Sequence, residues 1–365
     1  MKRWCAEAPS NIALVKYMGK DDPRENLPAN PSLSLTLNTL STVVDVREAS
    51  VESGESGIQW ISESVSNFPA HIVPELSEKS RSRFLAHASR VVDRAPALLA
   101  QFGIASSTRK NLIIRSASRF PQGAGLASSA SSFAALTLAV IAAQAQETEA
   151  FQALYTRDPE FRARLSTLSR QGSGSSARSF DGPFVLWDPR DPVRETSRLD
   201  VAPIFEKSSV LVLVTDAREK KISSSDVHAL VTQSPLWSGR VERAKARIDR
   251  VVRALRIGDR ETVAVETWAE AWEMHSLFHT LPEPFTYWMP ETLEILTFLR
   301  SYVRSTPAHP NPPWITMDAG PNIHLICAPE DASDWRDRIQ TRFPGLLILS
   351  DASGSGARLA HGGLA

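Results

Sequence analysis

Leucine and small polar residues alternate through SLSLTLNTL (32–40), and STVVDV continues the pattern after a short break. A two-residue period predicts a half-buried antiparallel strand pair. NLIIRSA (111–117) reads as a further strand. The run SSFAALTLAVIAAQAQ behind it is alanine- and leucine-rich with little polar interruption, which predicts a helix buried on most sides. GPFVLWDP (182–189) closes the first half as a strand, and the proline- and charge-rich DPRDPVRETSRLDVAP reads as a connection.

The second half opens with the β-rich SSVLVLVTD. Val241, Ala244, Ile248, Val251, Val252 and Leu255 then recur at three- and four-residue spacing, the signature of an amphipathic helix. PETLEILTFLRSYVR reads as another helix, WITMDAGPNIHLICAP as strand, turn and strand, and SDWRDRIQTRF with GLLILSD as helix and strand. Strands and helices mix without strict alternation, so the expected class is α+β. A chain of 365 residues exceeds what one core usually serves. The expected division is 1–188 and 189–365. The glycines of the C-terminal SDASGSGARLAHGG suggest a mobile tail, to which no function is assigned.

Composition narrows the classes of function. The chain has 41 basic and 41 acidic residues, so no global charge points to nucleic acid or a membrane surface. It has two cysteines far apart, no apolar leader and no membrane-length apolar run, which predicts a cytoplasmic protein without disulfides. Only nine basic residues are lysine, and Lys16, Lys20, Lys220 and Lys221 fall in two short segments.

The densest candidate chemistry is PQGAGLASSASSF (121–133). A glycine-rich turn from a strand into a helix N-terminus converges backbone N–H groups where the helix dipole favours an anion. Gly123, Gly125, Ser128 and Ser129 would form such a phosphate cradle; a serine-capped helix packed through small residues is the other reading. The Walker A spacing is absent. Asp318 lies in an Asp-Ala-Gly-Pro-Asn turn between two apolar strands, either aimed into a site or simply starting a turn.

SNIALVKYMGKDD, LPANPSLSLTL, PQGAGLASSA, RQGSGSSARSFDGPFVLW and MDAGPNIHL follow one another in an order that resembles the GHMP kinase superfamily. Within it they are most similar to the diphosphomevalonate decarboxylase branch. That resemblance implies a two-domain GHMP kinase fold, with a ribosomal protein S5 domain 2-like N-terminal domain, a ferredoxin-like C-terminal domain and the active site between them. It implies ATP and Mg2+, a mevalonate phosphate as substrate, and a homodimer. The implied reaction phosphorylates the substrate's 3-hydroxyl and then releases phosphate and CO2.

By the same resemblance, Asp318 orients or deprotonates the 3-hydroxyl, and Lys16 acts electrostatically beside it and the transferred phosphoryl group. Tyr17 and Lys20 contact the substrate's terminal phosphate, although Lys20 could be a solvated lysine. Arg178 holds the carboxylate or diphosphate through its planar fork, with Ser173 and Ser175 donating from the same loop. Ser128 and Ser129 approach the γ-phosphate and Mg2+. The chain departs from the branch at Met18, where tryptophan is usual, and at Gln122–Gly123. It also has Ser225–Asp226 where some relatives carry a basic residue. One cation fewer would suit mevalonate 5-phosphate, so a monophosphate decarboxylase stays open beside the diphosphate enzyme, as do a plain GHMP kinase and a non-catalytic sensor of the same fold.

Overall fold

Two long strands, Arg3–Val15 and Ser32–Glu48, form the spine of the molecule. The structure, a computed structural model, describes residues 2–49, 57–65, 68, 71–121, 126, 128–191, 194–218, 222–303 and 311–360. The spine strands run antiparallel from Arg3↔Arg47 to Val15↔Leu33, with a register shift between Pro9 and Asn11. The shift lies opposite Asn38–Leu40, where the sequence pattern breaks. Instead of a hairpin there is one 17-residue strand with a local irregularity. The backbone N–H groups of Thr39 and Leu40 at that break donate to the Asp351 carboxylate, so no turn is needed to satisfy them.

The strand is also more buried than simple alternation predicts, because its small polar face is covered too. Ser32 and Thr36 are buried and hydrogen-bonded to the segment 178–181. The first half of Ser32–Glu48 pairs with Phe184–Trp187 and the second half with Leu112–Ser118. Ile58–Trp60 adds the sheet's one parallel pairing among the described residues. Behind the sheet, Ser128–Gln144 is buried on nearly every side, as its composition requires, and packs with Glu78–Gln101 and Pro159–Arg170.

The connection expected at 188–203 is partly ordered into the first sheet. Thr196–Arg198 pairs antiparallel with Phe184–Trp187, and the Asp188 N–H donates to Glu195 O at 2.8 Å. The expected division after residue 188 therefore falls inside a hairpin. The proposed mobile tail is anchored as far as it is described. Arg358–Leu359 pairs with Arg3–Val15, and the Tyr155 hydroxyl donates to Ala357 O at 2.8 Å. Gly356 makes the approach possible: its φ is +99°, and an added Cβ would stand 2.6 Å from Phe180 O.

The second unit has a four-stranded antiparallel sheet in the spatial order Trp314–Met317, Ile323–Cys327, Ser209–Val214, Leu347–Ala352. Helices lie between the first and second of these strands in sequence and between the third and fourth. That is the βαββαβ ferredoxin-like arrangement expected. Arg240–Ile257 is the helix that the periodicity predicts. The two units share a core: Ile12, Leu14, Leu33 and Leu35 of the first pack with Val210, Val212, Ile248 and Trp314 of the second.

Cys5 and Cys327 are buried and unpaired. No helix among the described residues is long and apolar enough to cross a membrane.

Candidate active site

A cavity of about 200 Å³ opens where strand Arg3–Val15 ends against several other segments. These include the start of Ser128–Gln144, the 3-10 helix Gly174–Ser179, the short helix Ser224–Leu230 and the turn after Trp314–Met317. The cavity brings together Lys16, Tyr17, Lys20, Ser128, Ser129, Ser173, Ser175, Arg178 and Asp318. Gly123 and Gly125, with Gln122, lie outside the described residues, as do Lys220 and Lys221.

Lys16 and Asp318 form an ion pair, Nζ to Oδ1 at 2.9 Å. The lysine is 3% exposed, and its ammonium also donates to Ala13 O. Burial pulls the Lys16 pKa below its ordinary value, with Asp318 opposing. Burial alone would raise the Asp318 carboxyl, but Lys16, His324 and Arg178 hold it below the usual carboxylate range. Asp318 is therefore ionised at neutral pH.

The peptide of Lys16 is gripped from the second unit. Its N–H donates to Glu270 Oε1 at 3.0 Å, and its carbonyl accepts from Arg240 Nη2 at 3.2 Å. Glu270 and Arg240 are both fully buried and hydrogen-bonded to each other, and Arg247 completes the group. Asn30 bridges Lys16 O and the Met18 N–H from the other side. These contacts fix the backbone from which Lys16 reaches Asp318. Met18, at the position where the sequence departs from its relatives, packs with Val227, Val231 and Met274.

Arg178 is no surface charge. It is 3% exposed, with Nη1 donating to Ser32 Oγ at 2.9 Å and Nε to Asn11 Oδ1 at 3.2 Å. Its guanidinium lies 5.6 Å from the ring centroids of both Tyr17 and Trp187. Among the described residues no carboxylate lies within ion-pair distance of it. A buried guanidinium whose hydrogen-bond partners are neutral and which feels Asp318 only at longer range can take an anion from the open cavity. Gly174 keeps this wall tight, since an added Cβ would stand 2.7 Å from the Tyr17 hydroxyl.

Ser173 Oγ donates to Ser129 Oγ at 3.1 Å and lies 3.3 Å from Ser175 Oγ, which links the second serine loop to the helix start. Lys20 Nζ donates to Asn26 Oδ1 at 2.8 Å. The neighbouring acids do not neutralise it: Asp21 pairs with Arg190, and Asp22 accepts from backbone N–H groups. Trp187 stands edge-on to Tyr17 behind the cavity, whereas Trp4 packs against Arg109 and Trp272 against Trp288.

Arg83, on helix Glu78–Gln101, is a site residue that sequence reasoning missed. It lines the cavity, and its Nε and Nη2 donate to Gly172 O at 3.2 and 2.8 Å. Burial lowers its pKa, and so does burial at Lys20, where Arg83 adds to the effect. The described lining thus carries Lys16, Lys20, Arg83 and Arg178 against the single carboxylate of Asp318. Ser225 also lines the cavity without a charge, and Arg83 is a cation there that comes from another element. A second cavity of about 140 Å³ shares Arg83, Ser128 and Ser129 with the first and is walled by Leu76, Phe84, Phe120 and Phe133.

The sheet-backed first unit, the ferredoxin-like second unit and the cleft of serines and cations between them define a two-domain enzyme of the GHMP kinase class. Residues 8–198 match the family model for the diphosphomevalonate decarboxylase-like N-terminal domain, and residues 210–354 match that for the mevalonate 5-diphosphate decarboxylase C-terminal domain. The chain belongs to the diphosphomevalonate decarboxylase family. It is 30% identical over 336 residues to diphosphomevalonate decarboxylase of Schizosaccharomyces pombe, covering 89% of this chain and 78% of that one. A crystal structure of a mevalonate diphosphate decarboxylase from Legionella pneumophila is 33% identical, with a TM-score of 0.73 and coverage of 95% and 100%. At 24% identity, the structure of MDDEF in complex with MVAPP, AMPPCP and magnesium shares the fold, with a TM-score of 0.78 and coverage of 98% and 99%.

Proposed function

We propose that this chain catalyses the ATP-dependent decarboxylation of mevalonate 5-diphosphate to isopentenyl diphosphate, with release of ADP, phosphate and CO2. The observation that carries this reading is the buried Arg178, which makes no ion pair among the described residues and faces the same cavity as the Lys16–Asp318 pair. It is supported by the names of the relatives and by the nucleotide analogue and magnesium bound by MDDEF.

In this reading the Asp318 carboxylate accepts the hydrogen bond of the substrate's 3-hydroxyl. The hydroxyl oxygen attacks the γ-phosphorus of ATP, the bond to ADP breaks, and Asp318 takes or directs the proton. Lys16 stabilises the charge carried by the transferred group. The C3–O bond then breaks, its electron pair leaving with phosphate. The carboxylate's C–C pair becomes the new double bond as CO2 departs. Arg178 holds the substrate carboxylate until that step, and Tyr17, Lys20, Arg83, Ser173 and Ser175 hold the diphosphate. The second cavity, lined by aromatic side chains and serines, takes the nucleoside end of ATP, next to Ser128 and Ser129.

Those two serine hydroxyls, together with the nucleotide's phosphates, are a donor set that suits Mg2+, which is seldom held in an all-protein cage. No cluster of three metal-binding side chains occurs among the described residues. When bound, Mg2+ supplies neutralisation of phosphate charge. Homodimerisation and a cytoplasmic location are carried over from the family as proposals, and sedimentation of the purified protein tests the first. We also place the end of the first unit after Thr196–Arg198, with Arg358–Leu359 returning to it.

The testing experiment measures ADP, phosphate and CO2 from mevalonate 5-diphosphate with ATP and Mg2+. The proposal requires equal amounts of all three. ADP without CO2 would make the protein a plain kinase.

A further inference from the structure

His228, on the short helix Ser224–Leu230, is a cavity group that the mechanism above does not use. Its ring lies flat on Tyr17, with centroids 4.6 Å apart and planes 8° from parallel. The residue is 9% exposed, forms part of the cavity wall, and its enclosed Nδ1 has no hydrogen-bond partner among the described residues. Nδ1 is sealed from the cavity, so the ring nitrogen that a ligand there can meet is Nε2, which is not among the enclosed atoms. Lys20 and Arg178 face the ring electrostatically, Tyr17 covers one face, and Asp226 on its own helix is turned away to accept from Ser223.

We propose that His228 is a specificity-determining residue for this reaction, donating an N–H hydrogen bond to the phosphate end of the substrate beside Tyr17 and Lys20. The inference rests on the substrate reading given above, which places that end of the molecule at Tyr17 and Lys20.

Burial, reinforced by Lys20 and Arg178, pulls the His228 pKa down to about 3. The ring is therefore neutral at neutral pH and carries one N–H. A neutral donor suits this position because it adds a contact to an anion without adding repulsion between cations in the empty site. It also gives the Ser224–Leu230 helix a reason to seat an imidazole, and not merely an aromatic ring, against Tyr17.

The test compares wild type with His228→Phe, which keeps a ring to stack on Tyr17 but has no N–H, and His228→Gln, which restores a donor. Loss of a hydrogen bond to a charged group predicts a rise in KM for mevalonate 5-diphosphate of about ten- to a hundredfold in His228→Phe. The fall in kcat should stay below about threefold, the KM for ATP should be unchanged, and His228→Gln should recover most of the loss. An unchanged substrate KM in a folded His228→Phe protein overturns the proposal. So does an equal loss of kcat in both variants with KM unmoved. If wild type releases no CO2, the functional reading has failed. Calorimetric binding of mevalonate 5-diphosphate then still decides the role of His228, and equal affinity for wild type and His228→Phe would refute it.

Discussion

Asp318 and Lys16 make the site's one ion pair among the described lining residues, and each keeps the other charged against the cost of burial. Asp318→Asn leaves the turn and the cavity in place but removes the negative charge and the base. The expected result is a kcat lower by about 10²–10⁴ with little change in substrate KM, read from steady-state CO2 release. The pH dependence follows from the signs of the two shifts. Lys16 must stay protonated and its pKa is lowered, so activity falls as pH rises through a value below 10.5. Asp318 must stay ionised and its pKa is lowered, so the acid loss from this group lies below 3.8. A profile of kcat/KM against pH should show the alkaline limb, and Lys16→Arg should move it upward. Lys16, Arg178 and Asp318 are legible in the chain because each sits in a short stretch whose neighbours are constrained with it. Arg83 and His228 carry no such local signal. One arginine on an arginine-rich helix and one histidine on a two-turn helix become site residues only when distant segments fold over the same cavity.

Among the elements, helices Arg240–Ile257 and Arg260–His279 do more than cover a sheet. Through Arg240 and Glu270 they hold the peptide of Lys16 at the end of a strand in the other unit. Removing one partner of a buried charge group leaves the others uncompensated, so Glu270→Ala should destabilise the protein by about 3–5 kcal/mol in urea unfolding. It should also lower kcat, because the backbone that aims Lys16 loses its grip. The strands were legible where apolar residues carry the pattern. The spine strand was misread as a pair because Asn38–Leu40 interrupts the period, while its N–H groups find Asp351 more than 300 residues away. The C-terminal glycines read as slack for a similar reason: what Gly356 accommodates is Phe180 O, a contact that the local sequence does not display. Gly356→Val, forced into a positive φ against backbone, should lower stability by about 1–3 kcal/mol, measured by the shift in thermal midpoint.

For the whole molecule, the shared core of Ile12, Leu14, Leu33, Val210, Val212 and Trp314 ties the units together, and the returning C-terminal strand closes the chain onto its first strand. A single cooperative unfolding transition, seen alike by far-ultraviolet dichroism and tryptophan fluorescence, is the expected outcome; two separated transitions would show independent units. Among the described residues the cleft between the units gathers four basic side chains around one carboxylate, a charge balance that suits a substrate carrying a carboxylate and a diphosphate. That is the account's central claim, and it is tested most directly by CO2 and phosphate release from purified protein with ATP and Mg2+, run in parallel on mevalonate 5-diphosphate and mevalonate 5-phosphate. The account predicts a kcat/KM at least about tenfold higher for the diphosphate, because a second phosphate gains charge-assisted hydrogen bonds. Equal or better turnover of the monophosphate would contradict it.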